Sequence, residues 1–206
     1  MLQFITHHTD RYNTIESAEV ALEGGCRWIQ LRLKNASQAG LEITAVQLKA
    51  LCWETGATFI IDDHVDVCQR VNADGVHLGK SDMCPAEARK ILGEKKLIGG
   101  TANTFEDIKS LVEKGVDYIG LGPFRFTTTK ENLSQILGLE GLAKIRQQCK
   151  EADINIPIVA IGGITKDDIP AITKLGYGIA LSSTILQAED PVEETKAIID
   201  LMKNIL

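Results

Sequence analysis

Asp63 and Asp82 each follow a short apolar run: Phe59-Ile60-Ile61 leads into Asp62 and Asp63, and Gly75-Val76-His77-Leu78 leads within a few residues to Asp82. Short apolar runs bounded by polar turns read as buried parallel strands. As neighbours in one sheet they would deliver both carboxylates to the same edge, where parallel sheets of this kind bind ligands. Mg²⁺ suits such a pair, because it takes one or two protein carboxylates, keeps waters and completes its shell with phosphate oxygens. Helix capping is the competing role and the commoner fate of an aspartate in this setting. Asp63 stands just before a helical segment and Asp82 just before Cys84-Pro85, so either could accept backbone N–H bonds there.

Groups that would hold an anion lie at other strand ends. Trp28-Ile29-Gln30-Leu31-Arg32-Leu33-Lys34 alternates apolar and polar, which puts Gln30, Arg32 and Lys34 on one face. A strand covered by helices outside and packed inside has little solvated face, so two cations and an amide there favour anion binding. The run Leu97-Ile98-Gly99-Gly100-Thr101 offers Thr101 as a donor to a phosphate oxygen. After Tyr118-Ile119-Gly120-Leu121-Gly122, helical spacing does not resume until about Leu139. The intervening loop carries Thr127, Thr128, Thr129 and Lys130 without an acid in that stretch. It exceeds the usual two to six residues of a βα loop, and such loops serve as lids or ligand-binding segments, although a mobile polar loop has the same composition. Gly162-Gly163 after one apolar run and Ser182-Ser183 after the next, opening a short helix, make a monophosphate cradle of bare N–H groups. The adjacent His7 and His8 point to opposite sides of an extended chain, so they do not form a chelating pair.

The elements that must position these groups alternate along the chain. Strand-like runs begin near Gln3, Trp28, Thr58, Gly75, Leu97, Tyr118, Pro157 and Gly178, each followed by a segment of helical spacing, giving eight βα units. Leu41, Thr44, Ala45, Leu48, Leu51 and Cys52 follow the three-and-four spacing of one helix face, as do Val192, Thr195, Ile199, Met202 and Leu206. Gly24, Gly56, Gly93, Gly115 and Gly176 close helical runs where positive φ is expected, and Thr104 to Asp107 reads as a capping box. Eight units spaced by roughly 25 residues predict an α/β fold, a single-domain (β/α)8 TIM barrel over 1–206. A doubly wound open sheet is the other arrangement of such units.

Size and charge narrow the function classes. The 206 residues are 44% hydrophobic and 24% charged, enough for one substantial core. The formal charge of −6, with both signs interspersed, argues against a nucleic-acid or anionic-membrane surface. The five cysteines form no C-x-x-C pair and are odd in number, as expected of reduced thiols in a cytoplasmic protein. No apolar run approaches a membrane span, and no basic stretch followed by an apolar one opens the chain. The expected partners are small molecules.

Taken together, these motifs resemble the thiamine phosphate synthase family over nearly the whole chain. Gln30-x-Arg32-x-Lys34 is similar to its pyrimidine-diphosphate motif, and Ile61-Asp62-Asp63 and His77 to Met83 to its two magnesium motifs. Thr101, Thr127-x-Thr129-Lys130, Val159 to Ile164 and Ser183 match its phosphate-binding positions. The resemblance implies Mg²⁺ on Asp63 and Asp82, the pyrimidine diphosphate on Gln30, Arg32, Lys34, Asp62, Thr101 and Lys130, and a thiazole phosphate on Thr127, Thr129, Gly162, Gly163, Ser182 and Ser183. It further implies a dissociative displacement: the electron-rich aminopyrimidine expels diphosphate to leave a carbocation, helped by Arg32, Lys34 and Lys130, and the thiazole nitrogen attacks. Where the family has neutral residues this chain carries Asp62 and Lys80, and these two are expected to pair across the strand ends. A thiazole tautomerase would instead need a histidine where Gly122-Pro123 stands. A sugar-phosphate isomerase would need an acid/base pair, and a non-catalytic precursor-binding regulator would lack the metal pair.

Overall fold

In the first strand, β1 (Leu2–Ile5), Leu2 and Phe4 alternate with Gln3 and Ile5, and all four are buried. A strand buried on both faces must lie between two layers, and the computed structural model, which describes residues 1–126 and 135–205, supplies both. Seven further strands follow: β2 (Trp28–Leu31), β3 (Thr58–Asp62), β4 (Gly75–Leu78), β5 (Leu97–Ala102), β6 (Tyr118–Leu121), β7 (Ile158–Ile161) and β8 (Gly178–Leu181). Each pairs in parallel with its neighbours, and β1 closes on β8, so the sheet is a closed eight-stranded barrel and not an open doubly wound sheet.

Helices α1 (Thr14–Glu23), α2 (Gln38–Thr55), α3 (Val65–Arg70), α4 (Pro85–Leu92), α5 (Phe105–Glu113), α6 (Gly138–Glu151), α7 (Ile169–Lys174), α8 (Ser183–Leu186) and α9 (Pro191–Lys203) surround it. Leu41, Ala45, Leu48 and Cys52 are the buried stripe of α2, as their spacing predicts. Thr104 and Asp107 form the expected capping box on α5. Gly56, Gly93, Gly115 and Gly176 take positive φ, but Gly24 does not: its φ is −68°, and the left-handed residue is Gly25 at 94°. Gly24 is a glycine for a packing reason, since a Cβ there would collide with the Thr195 side chain and the Val192 carbonyl of α9.

The outward strand residues, such as Phe4, Ile29, Phe59, Ile61, Val76, Ile98 and Ile119, join the helices in the main core. Inside the barrel a smaller cluster of Ile5, Trp28, Ile60, Tyr118, Val159 and Ala180 fills the space. Above and between these apolar side chains sits a polar set: Gln3, Gln30, Asp62, His77 and Thr101. Burying that many polar groups is costly unless each finds a partner, and their partners are found among one another.

Candidate active site

The ends of β2, β3 and β4 form one wall of the barrel mouth. Gln30 lies inside it, its Nε2 donating to Asp62 Oδ1 at 2.6 Å, while Arg32 Nε lies 3.7 Å from Asp62 Oδ2. Burial, with Asp63 adding to it, pushes the Asp62 carboxyl up to about 7, against the pull of Arg32, Gln30 and Lys34. Lys34, Asp62 and Asp63 line a cavity of about 360 Å³ that also meets Asn35, His64 and Asp66.

Asp63 takes the left-handed backbone region at φ 65°, which costs a non-glycine residue free energy but is tolerated best by Asp and Asn. Its N–H donates to the His77 carbonyl at 2.8 Å, continuing the β3–β4 ladder past the strand end. This turn sets its carboxylate against that of Asp82; burial first, and then Asp82, raises its protonation range. Asp82 is held by the Gly79 N–H, which donates to Oδ2 at 2.6 Å. Neither aspartate caps a helix: the residues at the starts of α3 and α4 are His64 and Cys84, and no side chain caps either one. The capping role is thus overturned. What remains is two carboxylates from adjacent strand ends turned toward each other.

Asp62 and Lys80 do not pair, which corrects the expectation drawn from their joint departure. Lys80 Nζ goes to Asp107 Oδ2 at 2.7 Å, and Asp62 is taken by Gln30 and Arg32. Asp107 already accepts from the N–H groups of Asn103 and Thr104 at the start of α5, so it is fixed where the flexible lysine can reach it.

The opposite wall is built from the ends of β7 and β8. Gly162 and Gly163 have φ of 95° and 65°, and a Cβ on either would strike the segment leaving β6. Phe124 N and Arg125 N donate to the carbonyls of Ile161 and Gly162 at 2.8 and 2.9 Å, so the backbone of that segment is tied to the glycine turn. Ser182 precedes α8 and Ser183 begins it; the Ser182 Oγ is buried without a hydrogen-bond partner among the described residues. Thr127, Thr129 and Lys130 lie outside the described residues.

Thr101, near the end of β5, takes part in a set of contacts that the spacing of charged residues does not reveal. His77 Nε2 is 3.0 Å from Thr101 Oγ1, His77 Nδ1 is 3.1 Å from Tyr118 Oη, and Gln3 Nε2 reaches both Tyr118 Oη and Gln30 Oε1. The available signal was strand alternation: Gln3 stands between Leu2 and Phe4, and His77 between Val76 and Leu78, so each points to the inner face.

The chain is similar throughout to proteins of known activity. The family model of thiamine monophosphate synthase matches residues 2–185. The thiamine-phosphate synthase of Phocaeicola vulgatus is 61% identical over 201 residues, covering 97% of each chain. That of Bacteroides thetaiotaomicron is 59% identical over 206 residues, covering 100% of this chain and 98% of its own. Among solved structures, a thiamine phosphate pyrophosphorylase from Pyrococcus furiosus superposes with a TM-score of 0.88 at 37% identity, covering 100% of this chain and 96% of its own.

Proposed function

The chain belongs to the thiamine monophosphate synthase family, and from that premise we propose how its barrel mouth carries out the reaction. Its activity is that of a thiamine-phosphate synthase, a transferase of thiamine biosynthesis. The substrates in this reading are hydroxymethylpyrimidine diphosphate and a thiazole phosphate, and the products are thiamine phosphate and diphosphate. No helix among the described residues is long and apolar enough to cross a membrane. A cytoplasmic location accords with the free state of Cys26, Cys52, Cys68, Cys84 and Cys149.

The observation that carries the residue assignment is the approach of Asp63 to Asp82 beside Arg32 and Lys34. Two carboxylates set against each other repel when both are ionised, a repulsion that a shared proton relieves in the ligand-free site and that a divalent cation would relieve in the working enzyme. Mg²⁺ held by Asp63 and Asp82 would neutralise charge on the diphosphate as it leaves. Arg32 and Lys34, which lie beyond the end of β2 at Leu31 and not on the continued strand that their alternation predicts, bind the same anion from the loop after it. Thr101 donates to it from β5, and Gln30 and Asp62 face the pyrimidine. By the Thr-x-Thr-Lys motif alone, Lys130 is assigned to charge that appears during bond breaking and Thr127 and Thr129 to the thiazole phosphate, the ligand also assigned to Gly162, Gly163, Ser182 and Ser183. No proton leaves the attacking nitrogen, so the site needs no general base, and its task is to place the nucleophile and exclude water.

The test is diphosphate release from the two substrates at graded Mg²⁺. Release that requires both substrates and saturates with Mg²⁺ supports the reading. Release unaffected by removal of divalent cations would remove the metal role from Asp63 and Asp82.

A further inference from the structure

We infer that Gln3, Tyr118 and His77 form a directional hydrogen-bond relay inside the barrel that fixes Thr101 as a donor toward the anion in the mouth. The inference rests on the functional reading above only for the identity of that anion. These three are positioning residues, and Thr101 is the group that touches substrate.

The direction follows from counting donors. Gln30 Nε2 faces Asp62 Oδ1 at 2.6 Å, so the Gln30 Oε1 faces the other way, where Gln3 Nε2 meets it at 3.0 Å. The same Gln3 nitrogen lies 3.4 Å from Tyr118 Oη. An amide nitrogen only donates, so the phenol accepts from Gln3. Tyr118 is 3% exposed, and burial raises its ionisation far above the usual phenol range, so it keeps its hydrogen. Among the described residues the acceptor for that hydrogen is His77 Nδ1, at 3.1 Å. Were the phenol to accept from His77 as well, its own buried hydrogen would be left without an acceptor. His77 therefore carries its proton on Nε2 and donates it to Thr101 Oγ1 at 3.0 Å. The Thr101 hydroxyl, already an acceptor there, turns its hydrogen away from His77 toward the open end of the barrel. In the other tautomer Thr101 would donate to His77 and present a lone pair to a departing diphosphate, which repels it.

The barrel is shaped for this chain of groups. A Cβ on Gly99 would strike the Tyr118 ring, and one on Gly120 would lie 3.1 Å from His77 Cε1. Neither glycine has positive φ, so Gly99 is required by the room that the Tyr118 ring occupies, and Gly120 leaves the His77 ring uncrowded. The rings themselves lie 5.4 Å apart, and Trp28 packs edge-on against Tyr118 at 4.8 Å from below.

Two measurements test the relay. Nitrogen-15 NMR of the ligand-free protein, with the His77 signals assigned by their loss in His77→Gln, should give the Nε2–H tautomer. Any state with Nδ1 protonated overturns the relay, whatever the enzyme's activity. In kinetics, Tyr118→Phe should lower kcat for diphosphate release roughly five- to tenfold, the scale of one weakened hydrogen bond, with KM changed less than about twofold. That loss should disappear in a Thr101→Val background. An equal loss in both backgrounds would make Tyr118 a packing residue and overturn the relay. An Nε2–H tautomer in a protein that releases no diphosphate would overturn the functional reading instead, while supporting the relay geometry.

Discussion

Arg125 grips Asp168 with two guanidinium nitrogens, Nη1 to Oδ2 at 2.8 Å and Nη2 to Oδ1 at 2.9 Å, and Nη1 also donates to the Gly163 carbonyl at 2.6 Å. Thr165 adds its N–H and its hydroxyl to Asp168 Oδ2. One bidentate pair thus ties the segment leaving β6 to the turn after β7, on either side of the glycines proposed to cradle the thiazole phosphate. Arg125→Ala should raise the KM for the thiazole phosphate by roughly three- to tenfold with kcat little changed, because it loosens a ground-state binding surface. A fall in kcat at constant KM would mean that the pair serves the chemical step.

The same pair makes a pH prediction. The hydrogen bond from Arg125, helped by Thr165 and opposed by burial, holds the Asp168 carboxyl down to about 2. An unfolded Asp titrates near 4. The folded value is the lower one, so the contribution to stability is complete above about pH 4 and is lost as pH falls toward 2. Arg125 is 48% exposed, so solvent screening limits that contribution to about 1 kcal/mol or less. Urea unfolding of the wild type and Asp168→Asn should differ most at neutral pH and converge between pH 4 and 2. A gap independent of pH would show that the charge is not the source.

For the metal pair, Asp63→Asn is a sharper probe than alanine, because Asn tolerates the left-handed backbone at φ 65° and so keeps the turn. Asp63→Asn and Asp82→Asn should each lower turnover by roughly 10²-fold or more at limiting Mg²⁺. Both should shift the Mg²⁺ dependence to higher concentration, with thermal unfolding close to wild type. Normal turnover at limiting Mg²⁺ in either variant would leave the two carboxylates without a metal role.

The strands were legible because a parallel barrel buries them on both faces, so runs such as Phe59-Ile60-Ile61 stand out between polar turns. Gln30, Asp62, Asp63 and Asp82 stand out in the sequence as candidates because each sits at or just beyond the end of such a run, and the fold gathers them at one wall of the barrel mouth. Sequence gives less about what a long side chain on a loop will reach: Lys80 turned to Asp107, which helix capping had already fixed in place. Gly24 was misread because positive φ and close packing both call for glycine, and only the approach of Thr195 from α9 separates them. The relay was hidden because a lone Gln3 or Tyr118 in a strand is also consistent with ordinary core packing. Its meaning appears only when β1, β4, β5 and β6 are brought round one axis.

Since Asp62 and Lys80 have separate partners, changing both should give the sum of the single effects. Asp62→Asn, Lys80→Gln and the double variant should combine within about 0.5 kcal/mol, in stability and in kcat/KM alike. A coupling above about 1 kcal/mol would return the pair to direct contact in the working enzyme.

Ser182 separates binding from stability. Its hydroxyl oxygen is buried with no partner among the described residues, a state that costs a fold about 1–3 kcal/mol. It stands just before α8, beside the corner proposed for the thiazole phosphate, and a small shift of the side chain on binding would let a phosphate oxygen accept its hydrogen. Ser182→Ala should therefore leave the protein as stable as the wild type or more so, while the KM for the thiazole phosphate rises by about tenfold, the equivalent of one lost hydrogen bond to a charged group. Added thiazole phosphate should then raise the melting temperature of the wild type more than that of the variant, since a ligand stabilises in proportion to its occupancy. A destabilised variant with unchanged KM would mean that the hydroxyl is satisfied within the protein and takes no part in holding the phosphate.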